Sequence, residues 1–543
     1  MRPGMLLVLW PSMGTALSAA VDALRFFSIS AAPVPAVWLE APLGEWETLT
    51  LLAYFGVMGL LAVFGLHRLF LVRLYLKHRD VRPPRPEPDG RWPRVTVQLP
   101  LYNERFVAQN LLEAVARLDY PADKLEIQAL DDSTDLTTEI VRNRVEELAA
   151  RGVPIRLIHR RDRVGYKAGA LQAGLEQAKG ELIAIFDADF LPAPDFLQRL
   201  VPYFQDPGVG CVQARWAFRN REDSLLTSVQ GVMLDSHFVI DQTARSASGR
   251  FFNFNGTAGI LRRRMIEGAG GWEFDTLTED TDLSYRGQLA GWKMLYVPEV
   301  EVDSELPQDM ASFQAQQARW AKGLVETGLK LRRPIAESGQ PWRVKLEAFF
   351  HFASNLSYPL MALLALLVFP VGLIRWEWQE PWLLLADAPL FVATFGSLAA
   401  YCLLPQVLRD GRLRARHGVL FLGVLAMGVA LLLSNFVATM EALAGVRSPF
   451  QRTAKYSQDP RRNRLAHALY RPQGGWLAWA NLAVAGYFSL GCGYLAWLGA
   501  WSTLPFMGLF VVGHALAGLL SLGWEGPSFS TRLVGKPAGS SVR

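Results

Sequence analysis

Six apolar stretches bracket one long polar segment, and this layout constrains the chain more than any other feature of it. The stretches are Thr48–Leu66, Leu356–Ile374, Ala388–Leu404, Val419–Met440, Trp476–Leu498 and Leu504–Leu522. Each is about long enough to cross the hydrocarbon core of a bilayer, which takes roughly 20 helical residues. In that core every backbone polar group must be satisfied within the protein, so such runs fold as helices. The segment between the first and second runs, roughly Arg91–Arg333, reads as a mixed soluble domain. A chain that is 51% hydrophobic, with a mean hydropathy of +0.15, fits a membrane protein carrying one such domain.

Charge orients the layout. His67, Arg68, Arg73, Lys77 and Arg79 follow the first run, which puts its carboxyl end and the polar domain on the cytoplasmic side. The linker "RWEWQEP" is acidic and aromatic, as expected outside, and "VLRDGRLRARHG" is basic, as expected inside. Counting three crossings after the polar domain would then place Arg447–Arg471 outside. That loop carries Arg447, Arg452, Lys455, Arg461, Arg462, Arg464 and Arg471, which charge places inside. Charge is the stronger rule here. One run is therefore expected to be partial or interfacial, with five to seven spans in all.

The net charge of +5 is modest and clusters beside apolar runs, which points to membrane topology and away from nucleic acid. Cys211, Cys402 and Cys492 are far apart and form no CxxC pair, so neither a disulfide framework nor a zinc site is expected. "MLLVLWPSMG" is short and broken by Pro11, and reads as a signal-peptide core or an interfacial helix. The expected organisation runs as follows: an extracytoplasmic or interfacial segment (1–47), a first transmembrane helix with its basic flank (48–80), a Pro-rich linker (81–94) and a cytoplasmic domain (95–335). Interfacial and transmembrane helices (336–446), a basic cytoplasmic loop (447–475), a transmembrane hairpin (476–522) and a short tail (523–543) complete it.

Within 95–335, short apolar runs alternate with helical patterns. "RVTVQLP", "LEIQAL", "IRLIHR" and "ELIAIF" read as strands; "FVAQNLLEAVARL", "TTEIVRNRVEELAARG" and "YKAGALQAGLEQAKG" read as helices. The alternation predicts an α/β domain with a mostly parallel sheet and helices on its faces. Ligands in such folds bind beyond the carboxyl ends of the strands. Polar residues fall there: Asp131, Asp132 and Ser133 after one strand, Asp187 and Asp189 after another. Asp132 or Ser133 can equally cap the next helix. Two carboxylates at i and i+2 on a strand end can face one Mg²⁺ or Mn²⁺, which is held by few carboxylates plus substrate phosphates. Farther on, "FNGTAG" is a turn whose glycine permits close backbone approach. Thr278, Glu279, Asp280 and Asp282 open a helix, where acids either complement the dipole or include a general base. Gln316, Arg319 and Trp320 in "QQARW" are either interface anchors or site residues.

Taken in order, "LDDSTD", "AIFDADF", "TEDTDLSYRGQLAGWK" and "QQARW" resemble the inverting family-2 glycosyltransferases, which join a GT-A domain to membrane helices. The likeness is to the cellulose synthase superfamily, especially the plant cellulose-synthase-like A and C enzymes and their bacterial relatives. It also takes in "LPLYNE", "RDRVGYKAGAL", "VQARW" and "FNGTAGI", covering about Val95–Thr327. The resemblance implies that Asp131 and Asp132 contact the nucleotide sugar, that Asp187 and Asp189 hold a metal–diphosphate, and that Asp280 is the catalytic base. It implies that Thr278, Glu279, Gln316, Arg319 and Trp320 line the acceptor site, with Arg319 also serving the diphosphate. Lys167 falls in a stretch the family places near the nucleotide; an exposed lysine at a helix start is the plain alternative. "FQRTAK" resembles a gating loop, through Phe450, Thr453 and Lys455, with Arg452 where that family has Val.

The implied activity is transfer of a hexose from a nucleotide sugar to a growing β-linked polysaccharide, assisted by Mg²⁺ or Mn²⁺. UDP-glucose is the first expectation for the donor and GDP-mannose the alternative. A glycolipid synthase that adds one hexose to a lipid acceptor, and a non-catalytic membrane scaffold, are the competing readings. The implied location is a bacterial inner membrane with the catalytic domain in the cytoplasm. Residues 523–543 leave no room for a cyclic-di-GMP-binding PilZ domain, so any such control is expected from a partner.

Overall fold

The computed structural model describes residues 44–448, apart from 85, 88–89 and 379–380, then Lys455 and residues 475–523. Phe450 and Thr453 lie outside the described residues. A 34-residue helix, α1 (Glu45–His78), leads into the soluble domain. There seven strands form one sheet: β1 (Val95–Leu101), β2 (Leu125–Asp131), β3 (Ile155–His159), β4 (Leu182–Ile185), β5 (Val209–Phe218), β6 (Gly259–Arg262) and β7 (Lys293–Ser304). Their order is β3-β2-β1-β4-β6-β5-β7. Only β6 runs antiparallel to its neighbours, so the other six deliver their carboxyl ends to one edge.

The four expected strands are β1 to β4, and their continuous apolar character has a simple cause. Helices α2 (Ala108–Val115), α3 (Thr137–Ala150) and α4 (Tyr166–Gln177) complete the layers around them. In β4, Leu182 and Ala184 pack into the core with Leu111 and Val141, while Ile183 and Ile185 face the opposite core with Leu171. A strand with both faces covered must be apolar at every position. Ahead of the closing strand lies α5 (Leu225–Asp235), and α6 (Glu279–Leu289) stands on the carboxyl edge. The 28-residue α7 (Met310–Glu337) closes the domain against the membrane helices.

The membrane part contains α8 (Trp342–Ala353), α9 (Ser357–Trp378), α10 (Ser397–Asp410), α11 (Ala415–Ala430), α12 (Leu432–Leu443), α13 (Trp476–Trp497) and α14 (Leu504–Ser521). Four described segments are long and apolar enough to cross a membrane: Glu45–His78, Trp342–Trp378, Leu385–Asp410 and Trp501–Ser521. The α11–α12 pair, bent by 47°, would make a fifth. Six apolar runs therefore overcount. Trp476–Leu498 forms α13, whose apolar sequence is diluted by glycines and by Asn481, and it folds back along α14. Ala478 and Leu482 lie against Gly518, Met507 lies against Gly491, and Asn481 Oδ1 accepts from His514 Nδ1 at 2.8 Å. Small residues let such helices approach closely.

The α11–α12 pair also touches the soluble domain. Gly423 of α11 abuts Val229 of α5. Gln314 on α7 donates to the Ala430 carbonyl at 3.0 Å, and Lys322 pairs with Glu441 of α12 at 2.7 Å. One side of the pair thus packs on the soluble domain, while Val429 meets Gly513 of α14 and Val419, Leu422 and Met440 are exposed.

Candidate active site

At the carboxyl edge of the sheet a cleft of about 1200 Å³, measured to its open mouth, lies between the strand ends, the start of α6 and one face of α7. It gathers Asp132, Lys167, Asp187, Asp189, Thr278, Glu279, Asp280, Gln316, Arg319, Trp320 and Lys455. Residues separated by more than 300 positions meet here because the parallel strands end together and α7 folds back over them.

Asp187 and Asp189 follow β4 with different surroundings. Lys167 Nζ pairs with Asp187 Oδ1 at 2.6 Å and donates to the Gly256 carbonyl at 2.9 Å. Burial works against the Lys167 charge, but Asp187, with Glu279 and Asp280 behind it, holds its pKa above the ordinary lysine value. The exposed-lysine alternative is therefore excluded. Asp189 is buried; its Oδ2 accepts from Ser304 Oγ at 2.9 Å and from Lys455 Nζ at 2.8 Å. Of the gating-loop trio, Lys455 thus reaches the site. Burial likewise opposes its charge, and Asp189 keeps its pKa raised.

Asp280 sits in the first turn of α6. Its Oδ1 accepts from the Thr281 N–H at 2.6 Å. Burial, then the Glu279 carboxylate, push its pKa up to about 7, and Lys167 pulls the other way. A carboxylate poised near neutrality suits proton abstraction better than an ordinary surface aspartate does. The Gly256 turn sets the spacing. Its φ is +79°, and a Cβ there would lie 2.6 Å from Asp280 Oδ2 and 3.3 Å from Lys167 Nζ. The glycine leaves room for both side chains.

Arg319 and Trp320 project from α7 into the cleft, so "QQARW" forms a wall of the site and not a lipid-facing anchor. Burial lowers the Arg319 pKa, against the raising effect of Glu279, Asp187 and Asp280. Trp320 lies 6.5 Å, centroid to centroid, from Trp216 on β5, which packs edge-on against Phe190 at 5.1 Å. Thr278 bonds Thr327 of α7 at 3.0 Å, pinning α6 to that helix.

Asp131 and Asp132 diverge. Asp132 lines the cleft and is gripped by Arg160 through two bonds of 2.8 and 2.6 Å. Asp131 is fully buried outside the lining, bonded to Thr138 at 2.7 Å and His159 at 2.9 Å. Neither caps α3: Asp135 accepts from the Thr137 N–H at 2.9 Å, and Ser133 serves the Asn103 N–H.

Sequence reasoning missed Arg163, Trp216 and Glu305. Arg163 stacks over Tyr102 at 3.3 Å on the cleft wall, and both Arg163 and Trp216 lay in matching text without an assigned role. Glu305 carried no signal. It follows β7, and burial and then Asp189 push its pKa up to about 8. A separate trio, Glu273, Asp275 and Asp282, brings carboxylate oxygens within 4.8 Å of one another. Lys330 lies among them at 2.5 to 3.0 Å, and the trio stands outside the cleft lining.

Residues 93–323 match the family model described as "Glycosyltransferase like family 2". The chain is 48% identical over 252 residues to a probable glucomannan 4-beta-mannosyltransferase 7 of Oryza sativa subsp. japonica, covering 46% of this chain and 42% of that protein. It is 37% identical over 310 residues to a glucomannan 4-beta-mannosyltransferase 1 of Cyamopsis tetragonoloba, covering 56% and 59%. The matches span about half the length of these curated relatives. Among solved structures, a mannosyltransferase from Pyrobaculum calidifontis in complex with GDP-Man and Mn²⁺ aligns with a TM-score of 0.46 and 25% identity. That alignment covers 73% of this chain and 97% of that one. The match to the family-2 glycosyltransferase model thus covers the soluble domain, with its mostly parallel seven-stranded sheet, which is joined here to helices long and apolar enough to span a membrane.

Proposed function

We propose that this chain, built around a family-2 glycosyltransferase domain, is a membrane-embedded inverting mannosyltransferase. It takes mannose from GDP-mannose on the cytoplasmic side and adds it to the end of a β-linked polysaccharide. One observation carries the reading: a buried carboxylate, Asp280, stands beside the Lys167–Asp187 pair in a cleft walled by α7, the helix that packs on the membrane segments. The relatives named for glucomannan mannosyl transfer support GDP-mannose over the UDP-glucose expected first. They are plant proteins, so they lend no support to a bacterial inner membrane. The cytoplasmic side for the domain follows from the basic flank of α1.

In this reading Asp280 accepts the proton of the acceptor hydroxyl as that oxygen attacks the anomeric carbon. Arg319 and Lys167 hold positive charge where the diphosphate leaves, and a preorganised cation there stabilises developing charge without reorganisation. Trp216 and Trp320 offer flat apolar faces to a sugar ring. Asp187 and Asp189 would hold a divalent ion. Their hard oxygen donors suit Mg²⁺ or Mn²⁺, and lysine ammonium groups already rest on both. When bound, the ion neutralises charge on the leaving diphosphate.

The purified chain in detergent, offered each radiolabelled donor, incorporates label from GDP-mannose and not from UDP-glucose. The product is insoluble and digested by an endo-mannanase. Incorporation from UDP-glucose alone would overturn the donor assignment. A product confined to the organic phase as a single-hexose lipid would replace polysaccharide synthesis with glycolipid synthesis.

A further inference from the structure

A second concavity opens along the carboxyl-terminal half of α1, and it shares no lining residue with the catalytic cleft. Its walls are the cytoplasmic end of α1 and the helix α8, and Ser248 and Arg250 of the soluble domain floor it. It encloses about 1500 Å³ to its open mouth. The two helices touch where His67 stacks on Phe350 at 4.2 Å, then diverge.

The lining sorts by depth. Val63, Leu66 and Phe70 come first along α1 and are exposed, and Leu346 of α8 is exposed with them. Arg73 and Lys77 follow on α1, with Arg250 and Arg343 beside them. From Val63 to Lys77 the helix rises about 21 Å, which carries the groove from the hydrocarbon edge into the headgroup layer. Arg250 marks the junction: its guanidinium lies 5.2 Å from the Phe70 ring centroid, against apolar surface.

Arg73, Lys77, Arg250 and Arg343 line the groove with a single carboxylate, Glu347. Among the described residues no ion pair joins an acid to Arg73, Lys77, Arg250 or Arg343. The acid that lines the groove, Glu347, is 2% exposed and already engaged by Arg245 at 3.0 Å and His67 at 3.1 Å. Arg250 Nε is buried with no hydrogen-bond partner. Burial lowers the Arg250 pKa; the Glu347 carboxylate opposes this, and Arg343 adds a smaller lowering.

A water-soluble anion would leave the apolar stripe wet, and an uncharged lipid would leave four cations unanswered. We propose that this groove binds one anionic phospholipid of the cytoplasmic leaflet, its phosphate among Arg73, Lys77, Arg250 and Arg343 and an acyl chain along Val63, Leu66 and Phe70. Basic pockets between helices at this face suit anionic headgroups, and each basic residue near the surface contributes about fivefold to binding. The site is independent of the donor and acceptor identity.

The test is the melting temperature of the full chain in a neutral detergent, titrated with phosphatidylglycerol, with phosphatidylcholine of the same acyl chains, or with glycerol phosphate. Phosphatidylglycerol raises the melting temperature and the other two do not. In a Lys77→Ala/Arg343→Ala variant, which changes two exposed side chains, the concentration of phosphatidylglycerol at half effect rises roughly 30-fold. An Arg250→Lys variant keeps the response. No shift with phosphatidylglycerol, an equal shift with phosphatidylcholine or with glycerol phosphate, or an unchanged response in the double variant overturns the proposal.

Discussion

An Asp280→Asn enzyme loses hexose transfer by about 10²–10⁴-fold in kcat, the range that a positioned general base contributes. The amide keeps the size and shape of the carboxylate, so the Thr281 N–H bond and the turn at Gly256 remain. What disappears is the lone pair that takes the proton. Donor binding, read as the KM for GDP-mannose, changes little, because Lys167 remains on Asp187 and Arg319 stays in the cleft. The pH profile is the second readout. Burial and Glu279 push the Asp280 pKa up to about 7, and the base acts only when ionised. In the wild type, kcat/KM therefore falls as pH drops below about 7, roughly tenfold per unit once protonation dominates. The residual activity of Asp280→Asn lacks that limb. Intact turnover in the variant, or a wild-type profile flat down to pH 5, would show that another group takes the proton.

Gly256→Ala lowers transfer about 10²-fold while the domain still folds. Two costs coincide at one backbone position. An L-residue in the left-handed region gives up roughly 1–2 kcal/mol, and φ here is +79°. The new Cβ also meets Asp280 Oδ2 at 2.6 Å, well inside van der Waals contact. The carboxylate can swing away, so the collision is relieved by moving the base rather than by unfolding. Displacing a reacting group by about 1 Å is enough for a 10²-fold loss. The loss falls on kcat, and the melting temperature drops by only a few degrees, consistent with 1–2 kcal/mol. A variant that melts far lower but keeps its turnover per folded molecule would make Gly256 a purely structural residue.

Much of the site was legible along the chain. Apolar runs such as "ELIAIF" are interrupted abruptly by aspartates, and burial on both faces of β4 explains why only its end is polar. Lys167 and Asp187 were both singled out, but their 2.6 Å pairing joins the start of α4 to the end of β4 and no spacing announces it. Glu305 was invisible: it acquires its raised pKa from burial and Asp189, which the sheet brings within reach across 116 positions. Asp131 and Asp132 looked alike along the chain, yet side chains alternate along a strand end, and Asp131 turns inward to Thr138 and His159.

The sequence by itself determined the strand pattern of the soluble domain and the residues that gather at its carboxyl edge. These follow from local rules, since periodicity, turn chemistry and charge act within a few residues. Only the tertiary structure decided that one side of the α11–α12 pair packs on the catalytic domain. Apolar composition records that a surface is covered, not whether lipid or protein covers it, and here Val229 of α5 and Gln314 and Lys322 of α7 supply the cover on that side. The same fold sets Lys455 on Asp189, a contact between elements 266 residues apart that only a folded chain can make.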